Sequence, residues 1–214
     1  MILALLIAAA FVIAVIHDKR TEELVYSESL DLVAVTVEGE DLTLRDLAFY
    51  VAYEEKVVQE QALIYDAEHP LRYWNIHTNG EFMRVTARKA AVDMMVHDNV
   101  YGKEAMEAGY SLSEEELAVC DATASDFWSD LTAAQQSALG ISEETVYDTC
   151  RNIGLVEKYL ADLSRKEGRD LPLYETGGKL WEEKRDSMDI TYHDRVLNRI
   201  EMGSITVNMD EGEE

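Results

Sequence analysis

The chain has 214 residues, 43 of them Asp or Glu against 19 Lys or Arg, for a net charge of -24. A field of that sign repels phosphate backbones and anionic lipid surfaces, so nucleic acid is excluded as an expected partner. Two cysteines, Cys120 and Cys150, are too few for a disulfide scaffold and lack a CxxC spacing, and the length suits one domain with a real core.

The first 16 residues, MILALLIAAAFVIAVI, are apolar throughout and stop at HDKRTEEL. As a helix they would rise about 24 Å, short of a hydrocarbon core of roughly 30 Å. Nothing basic precedes the run and no small-x-small site closes it, so an uncleaved signal-anchor over 1–20 is favoured over a cleaved signal peptide, and a buried helix comes last. Lys19 and Arg20 behind the run argue for the opposite orientation. A linker over 21–31 is expected next.

The stretch VAVTVEGEDLTLRDLAFY, Val33 to Tyr50, alternates like a strand, turns at a glycine and enters a helix. Only Pro70 and Pro172 interrupt the chain, which permits long helices. The first is predicted from Thr43 to Asp66, with Thr43 and Asp46 as a capping box and Leu44, Leu47, Val51, Val58 and Ala62 at helical spacing. EHPLRYWNIHTNG breaks it, and Asn79 is the expected N-cap of a second helix from Glu81 to Ala108 that ends at Gly109. Ser113 and Glu116 open a third, expected to run to Ala138 and stop at Gly140. A fourth, starting in ISEETVYDTC, should reach Lys166. A simple hairpin about Gly140 would set Cys120 opposite a residue near 160, leaving the two thiols about 15 Å out of register, separate and mostly buried.

Beyond Gly168 the pattern loosens and then recovers in LWEEKRDSMDITYHDRVLNRI. Here Asp189 to Asp194 repeats the Asp-apolar-Thr-x-x-Asp order of Asp41 to Asp46, and each copy reads as the end of an extended segment followed by a capped helix. A lone strand leaves its backbone groups unpaired, so Val33 to Val37 needs a partner. The best candidate is Met188 to Thr191, which would zip the two ends of the domain together in a small two-stranded element.

These pieces carry a resemblance. The strand and helix of VAVTVEGEDLTLRDL, then GKEAMEAGYSLSEEEL, then LGISEETVYDTCRNIGLVEKYL resemble, in order and spacing, the N-terminal helical chaperone domain of the SurA and PrsA extracytoplasmic foldases. The C-terminal LWEEKRDSMDITYHDRVLNRI is similar to the helix-strand-helix segment that returns to that domain in the family. Members commonly insert parvulin-type prolyl isomerase modules ahead of this return. Only 17 residues lie between Leu163 and Trp181 here, too few for such a module. The resemblance therefore implies a chaperone domain over 32–167, closed by 168–205 and followed by an acidic tail over 206–214, without isomerase activity.

The residues themselves show no Walker loop, GxSxG elbow or dinucleotide fingerprint, and His69, His77 and His97 form no HExxH or H-x3-H pair. No catalytic residue, metal or cofactor is expected, and these histidines read as solvated or capping. Eleven tyrosines, three tryptophans and eight methionines supply adaptable apolar area. Tyr65, Tyr73 and Trp74 fall in or beside a helix connection, where they either cover the core or contact a client. Met94, Met95 and Met106 are expected in the core, as are Tyr50 and Tyr53. Phe127 and Trp128, adjacent on a helix, must point in different directions and are the candidates for a cleft edge. The expected function is a membrane-anchored, extracytoplasmic, ATP-independent holdase for unfolded or partly folded exported polypeptides. The alternative is an interaction subunit that binds one dedicated partner in a membrane assembly.

Overall fold

A computed structural model describes residues 24–78 and 80–207. The apolar run at the start, Asn79 and most of the acidic tail lie outside the described residues. Among the described residues, no helix is long and apolar enough to cross a membrane.

The architecture is mainly helical with a small antiparallel sheet. Strand β1 (Val33–Val37) turns at Glu38 and Gly39, both at positive φ, 50° and 83°, into β2 (Glu40–Thr43). Two such residues in succession make the tight turn whose twist matches the flanking strands, and Gly39 takes the conformation that a side chain would resist. The first capping box then acts as foreseen: Asp46 accepts from the Thr43 N–H at 2.7 Å and starts α1 (Leu44–Tyr65). A short 3-10 segment, Pro70–Asn75, and a two-residue ribbon, β3 (His77–Thr78) with β4 (Glu81–Phe82), lead into α2 (Met83–Glu107). The ribbon displaces the predicted start of this helix by two residues, to an N-cap at Phe82.

Ser113 and Glu116 cap α3 (Glu114–Asp130) reciprocally. The predicted third helix does not continue to Ala138, because Thr132 and Gln135 form another capping box and begin a separate α4 (Ala133–Leu139). Gly140, left-handed at φ 69°, ends it, and α5 (Glu143–Glu167) follows to a left-handed Gly168. The break at Leu131 changes the register of the cysteines. Cys120 meets α5 at Gly154, where an added Cβ would stand 2.4 Å from its Sγ, and not near residue 160. Both thiols are free, Cys150 buried and Cys120 half-buried.

The C-terminal part forms α6 (Lys179–Asp186), β5 (Ile190–Tyr192) and a one-turn α7 (Asp194–Leu197). β5 pairs antiparallel with β1, Thr191 opposite Thr36, which is the expected zipping of the two ends. The sheet has three strands in the order β2-β1-β5, because the segment after the glycine turn is itself a strand. The second Asp-x-Thr-x-x-Asp copy departs from the first: Asp194 is the first helical residue of α7 and no side chain caps it. His193 instead lies 2.9 Å from the Thr36 hydroxyl.

Two boundaries move. The expected linker over 21–31 is packed from Leu24 onward, with Tyr26 and Leu30 buried and the Tyr26 hydroxyl donating to the Leu44 carbonyl at 2.7 Å. Thr206, assigned to the tail, is buried too. It belongs to a C-terminal strap in which Ile200, Met202 and Ile205 enter the core. Glu55 of α1, fully buried, fastens this strap by accepting from the N–H groups of Gly203 (2.6 Å), Ile205 (3.2 Å) and Thr206 (2.5 Å) and from the Thr206 hydroxyl (2.5 Å). Burial pushes its carboxyl up from the ordinary value, while these four bonds pull against that shift.

Candidate binding surface

Three consecutive large apolar residues, Leu63, Ile64 and Tyr65, close α1, and successive positions on a helix cannot all face inward. All three are exposed, Ile64 at 88% and Tyr65 at 65%. Leu71 in the 3-10 segment and Phe82 in the ribbon are exposed as well. These five residues sit at one end of the α1–α2 hairpin, in and beside its connection. Tyr65 and Tyr73 lie with ring centroids 5.4 Å apart, and the Tyr73 hydroxyl donates to Gln61 at 3.2 Å, which fixes the ring on the helix. His77 meets Phe82 edge-on at 5.0 Å.

The apolar surface extends back along α1. Tyr53, Val57 and Ile64 are spaced by four and seven residues, hence on one face, with Glu60 the acidic member of that row. Tyr53 is exposed, against expectation, and its ring stacks on Phe49 at 6.4 Å. Phe49 in turn touches Phe127 at 4.6 Å. From Tyr53 to Ile64 is about 16 Å of helix, the length of roughly five extended residues. Glu54, beside this row, has its carboxyl pushed up by burial.

The five residues singled out from sequence therefore separate. Tyr65 and Tyr73 come together on the surface. Trp74 does not join them: it is 2% exposed, its indole N–H donates to Gln59 at 3.2 Å, and Gly203 of the strap lies against its ring. Phe127 and Trp128 are both half-buried and pack against the core, and Phe127 backs the α1 row through Phe49. Leu63, Ile64, Leu71 and Phe82 were not singled out, although the unbroken Leu-Ile-Tyr run at a helix end was a readable signal.

Other expectations are corrected. Met95 is buried and Met94 packs at the core margin, but Met106 on the last turn of α2 is exposed. His97 is neither solvated nor a cap: it is buried, with Nδ1 2.7 Å from Asp98 Oδ1 and Nε2 3.0 Å from the Tyr174 carbonyl. Among the described residues, no group of three or more His, Cys, Asp or Glu side chains is placed to hold a metal ion. Comparison with protein-family models, with curated proteins and with solved structures finds no match. Chemically, the surface offers aromatic and aliphatic contact area with few directional groups, which suits loose apolar association better than selection of one small ligand.

Proposed function

We propose that the protein is an extracytoplasmic, ATP-independent holdase that binds unfolded or partly folded exported polypeptides on the apolar surface running from Tyr53 to Tyr65 and into the α1–α2 connection. The observation that carries this reading is the exposure of Leu63, Ile64, Tyr65, Leu71 and Phe82 together, in a chain otherwise rich in acidic surface. Exposed apolar residues gathered at one end of a helix pair suit an interaction site in a soluble domain, and charge repulsion between copies keeps such a surface from self-association. The succession of strand, helical core and returning strand also agrees with what the resemblance to the SurA and PrsA chaperones implies. In this proposal the N-terminal apolar run anchors the domain at the membrane, and prolyl isomerisation plays no part.

The test is light scattering of an aggregating client with the purified protein at near-equal concentration and no nucleotide. Suppression across several unrelated clients, reduced by Ile64→Ser with Tyr65→Ser and retained in Val119→Ser, is expected; Val119 is an exposed apolar residue on α3, outside this surface. Unaltered suppression in the double variant would overturn the assignment of the surface, and no suppression of any client would overturn the holdase function.

A further inference from the structure

A second site stands at the open edge of the sheet. β5 is an edge strand, and β1 occupies only one of its sides. The Glu38 N–H donates to the Asp189 carbonyl at 2.8 Å and the His193 N–H donates to the Ala34 carbonyl at 3.0 Å, so residues 189, 191 and 193 turn their backbone groups toward β1. Antiparallel alternation then directs the N–H and C=O of Ile190 and Tyr192 outward. Tyr192 is paired with Val35, which is fully buried, and cross-strand partners share a face. Its side chain therefore leaves the sheet on the core side.

Beneath that edge lies a groove of about 310 Å³ between β5, α2, α6 and α7. Val92 and Leu197 supply apolar lining, and Arg88, Lys89 and Arg185 supply three cations. Two carboxylates, Asp93 and Asp194, line it as well, and Asp93 is already engaged by Arg185 at 2.9 Å and by the Trp181 indole at 3.1 Å. Arg88 donates to Asn198 at 2.9 Å and to the Ile200 carbonyl at 3.3 Å, which leaves further N–H donors on its guanidinium. Three cations against two carboxylates in the lining itself is a local concentration of positive groups in a chain of net charge -24, although Glu81 pairs with Lys89 and Asp186 with Arg185 at the rim. The other edge, β2, carries Glu40 and Asp41, charges of the kind that fend off an added strand. β5 carries none between Ile190 and Tyr192.

We propose that the β5 edge accepts an extended polypeptide segment as a fourth strand, and that it selects a segment with carboxylate side chains at alternate positions. An incoming strand would pair its backbone with Ile190 and Tyr192 while every second side chain, level with Tyr192, points into the groove toward Arg88, Lys89 and Arg185. This site is separate from the α1 surface and does not depend on it.

The probe is an end-blocked seven-residue peptide of alternating threonine and glutamate, titrated by nuclear magnetic resonance against the full-length protein. Saturable shifts of the Ile190 and Tyr192 amides are expected, weakened about tenfold by Lys89→Glu, an exposed position paired with Glu81. N-methylation of one set of alternate peptide amides should abolish binding, and methylation of the other set should leave it intact, because only one set faces β5. Equal binding of a matching peptide with lysine in place of glutamate, indifference to both methylation patterns, or no binding of the glutamate peptide would each overturn the proposal.

Discussion

Glu55→Ala removes one acceptor group from four donors at once: the N–H groups of Gly203, Ile205 and Thr206 and the Thr206 hydroxyl. All four bonds are buried, and an orphaned buried donor costs about 1–3 kcal/mol. The strap can loosen and rehydrate part of that loss, and the variant no longer buries a carboxylate, so the lower figure applies to each donor and the net cost is about 3–4 kcal/mol. Against a typical domain stability of roughly 5–15 kcal/mol this is a large fraction. In urea, with a slope of about 2 kcal/mol/M, the midpoint should fall by about 1.5–2 M. Hydrogen exchange should localise the effect, with protection lost first at Gly203, Ile205 and Thr206 while the α2 and α5 amides stay slow. A change under about 1 kcal/mol, or an even loss of protection through the fold, would refute the idea that this carboxylate fastens the strap.

Glu55 and Glu116 should give opposite pH dependences. The folded chain holds the Glu55 proton to a higher pH than the unfolded chain, so between those values the folded state binds more protons and this residue's contribution to stability declines as pH rises; Glu55→Gln should flatten that slope in thermal melts. Lys158 and the Ser113 cap hold Glu116 down to about 2, so its contribution is present above the ordinary carboxyl range and fades as pH falls toward that value, which melts of Glu116→Gln would show by losing the acid limb. Trp181→Ala empties a fully buried site and takes one of its donors from Asp93, which keeps Arg185, and should cost about 3–5 kcal/mol in chemical denaturation. Burial pushes the Cys150 thiol up to about 11, so at pH 8 a disulfide reagent should label Cys120 well before Cys150, and equal rates would contradict the packing between α3 and α5.

What the sequence made legible was local. Thr43 with Asp46 and Ser113 with Glu116 are boxes closed within four residues, and each sits where the spacing placed it. The β1–β5 pairing was legible for a different reason: an isolated strand must find a partner, and few extended segments were on offer. The break before α4 was also local, since Thr132 and Gln135 spell the same box, but continuous apolar spacing across Leu131 concealed it. Glu55 could not be read. Three of its four donors are backbone groups about 150 residues away, which no side-chain pattern encodes. Met95 and Met106 are eleven residues apart and share a helix face, yet one is buried and the other exposed. Periodicity assigns residues to a face; whether a neighbour covers that face at a given turn is settled by the tertiary arrangement. The exposed apolar surface was half legible for the same reason: Tyr65 lies on it, whereas Trp74 is buried.

The closure of β1 by β5 bears on the order of events during synthesis. Thr36 waits for His193, 157 residues later, and Glu55 waits for Thr206, 151 residues later. At roughly 5–20 residues per second, β1 and the empty strap site on α1 stay uncovered for about 8–30 s while the helices between them can already form. A nascent chain with an open strand edge and a vacant apolar seat is itself in need of protection. The domain can be finished only after its last segment arrives, so its slowest folding step should be the docking of the C-terminal strand and strap onto a preassembled helical core.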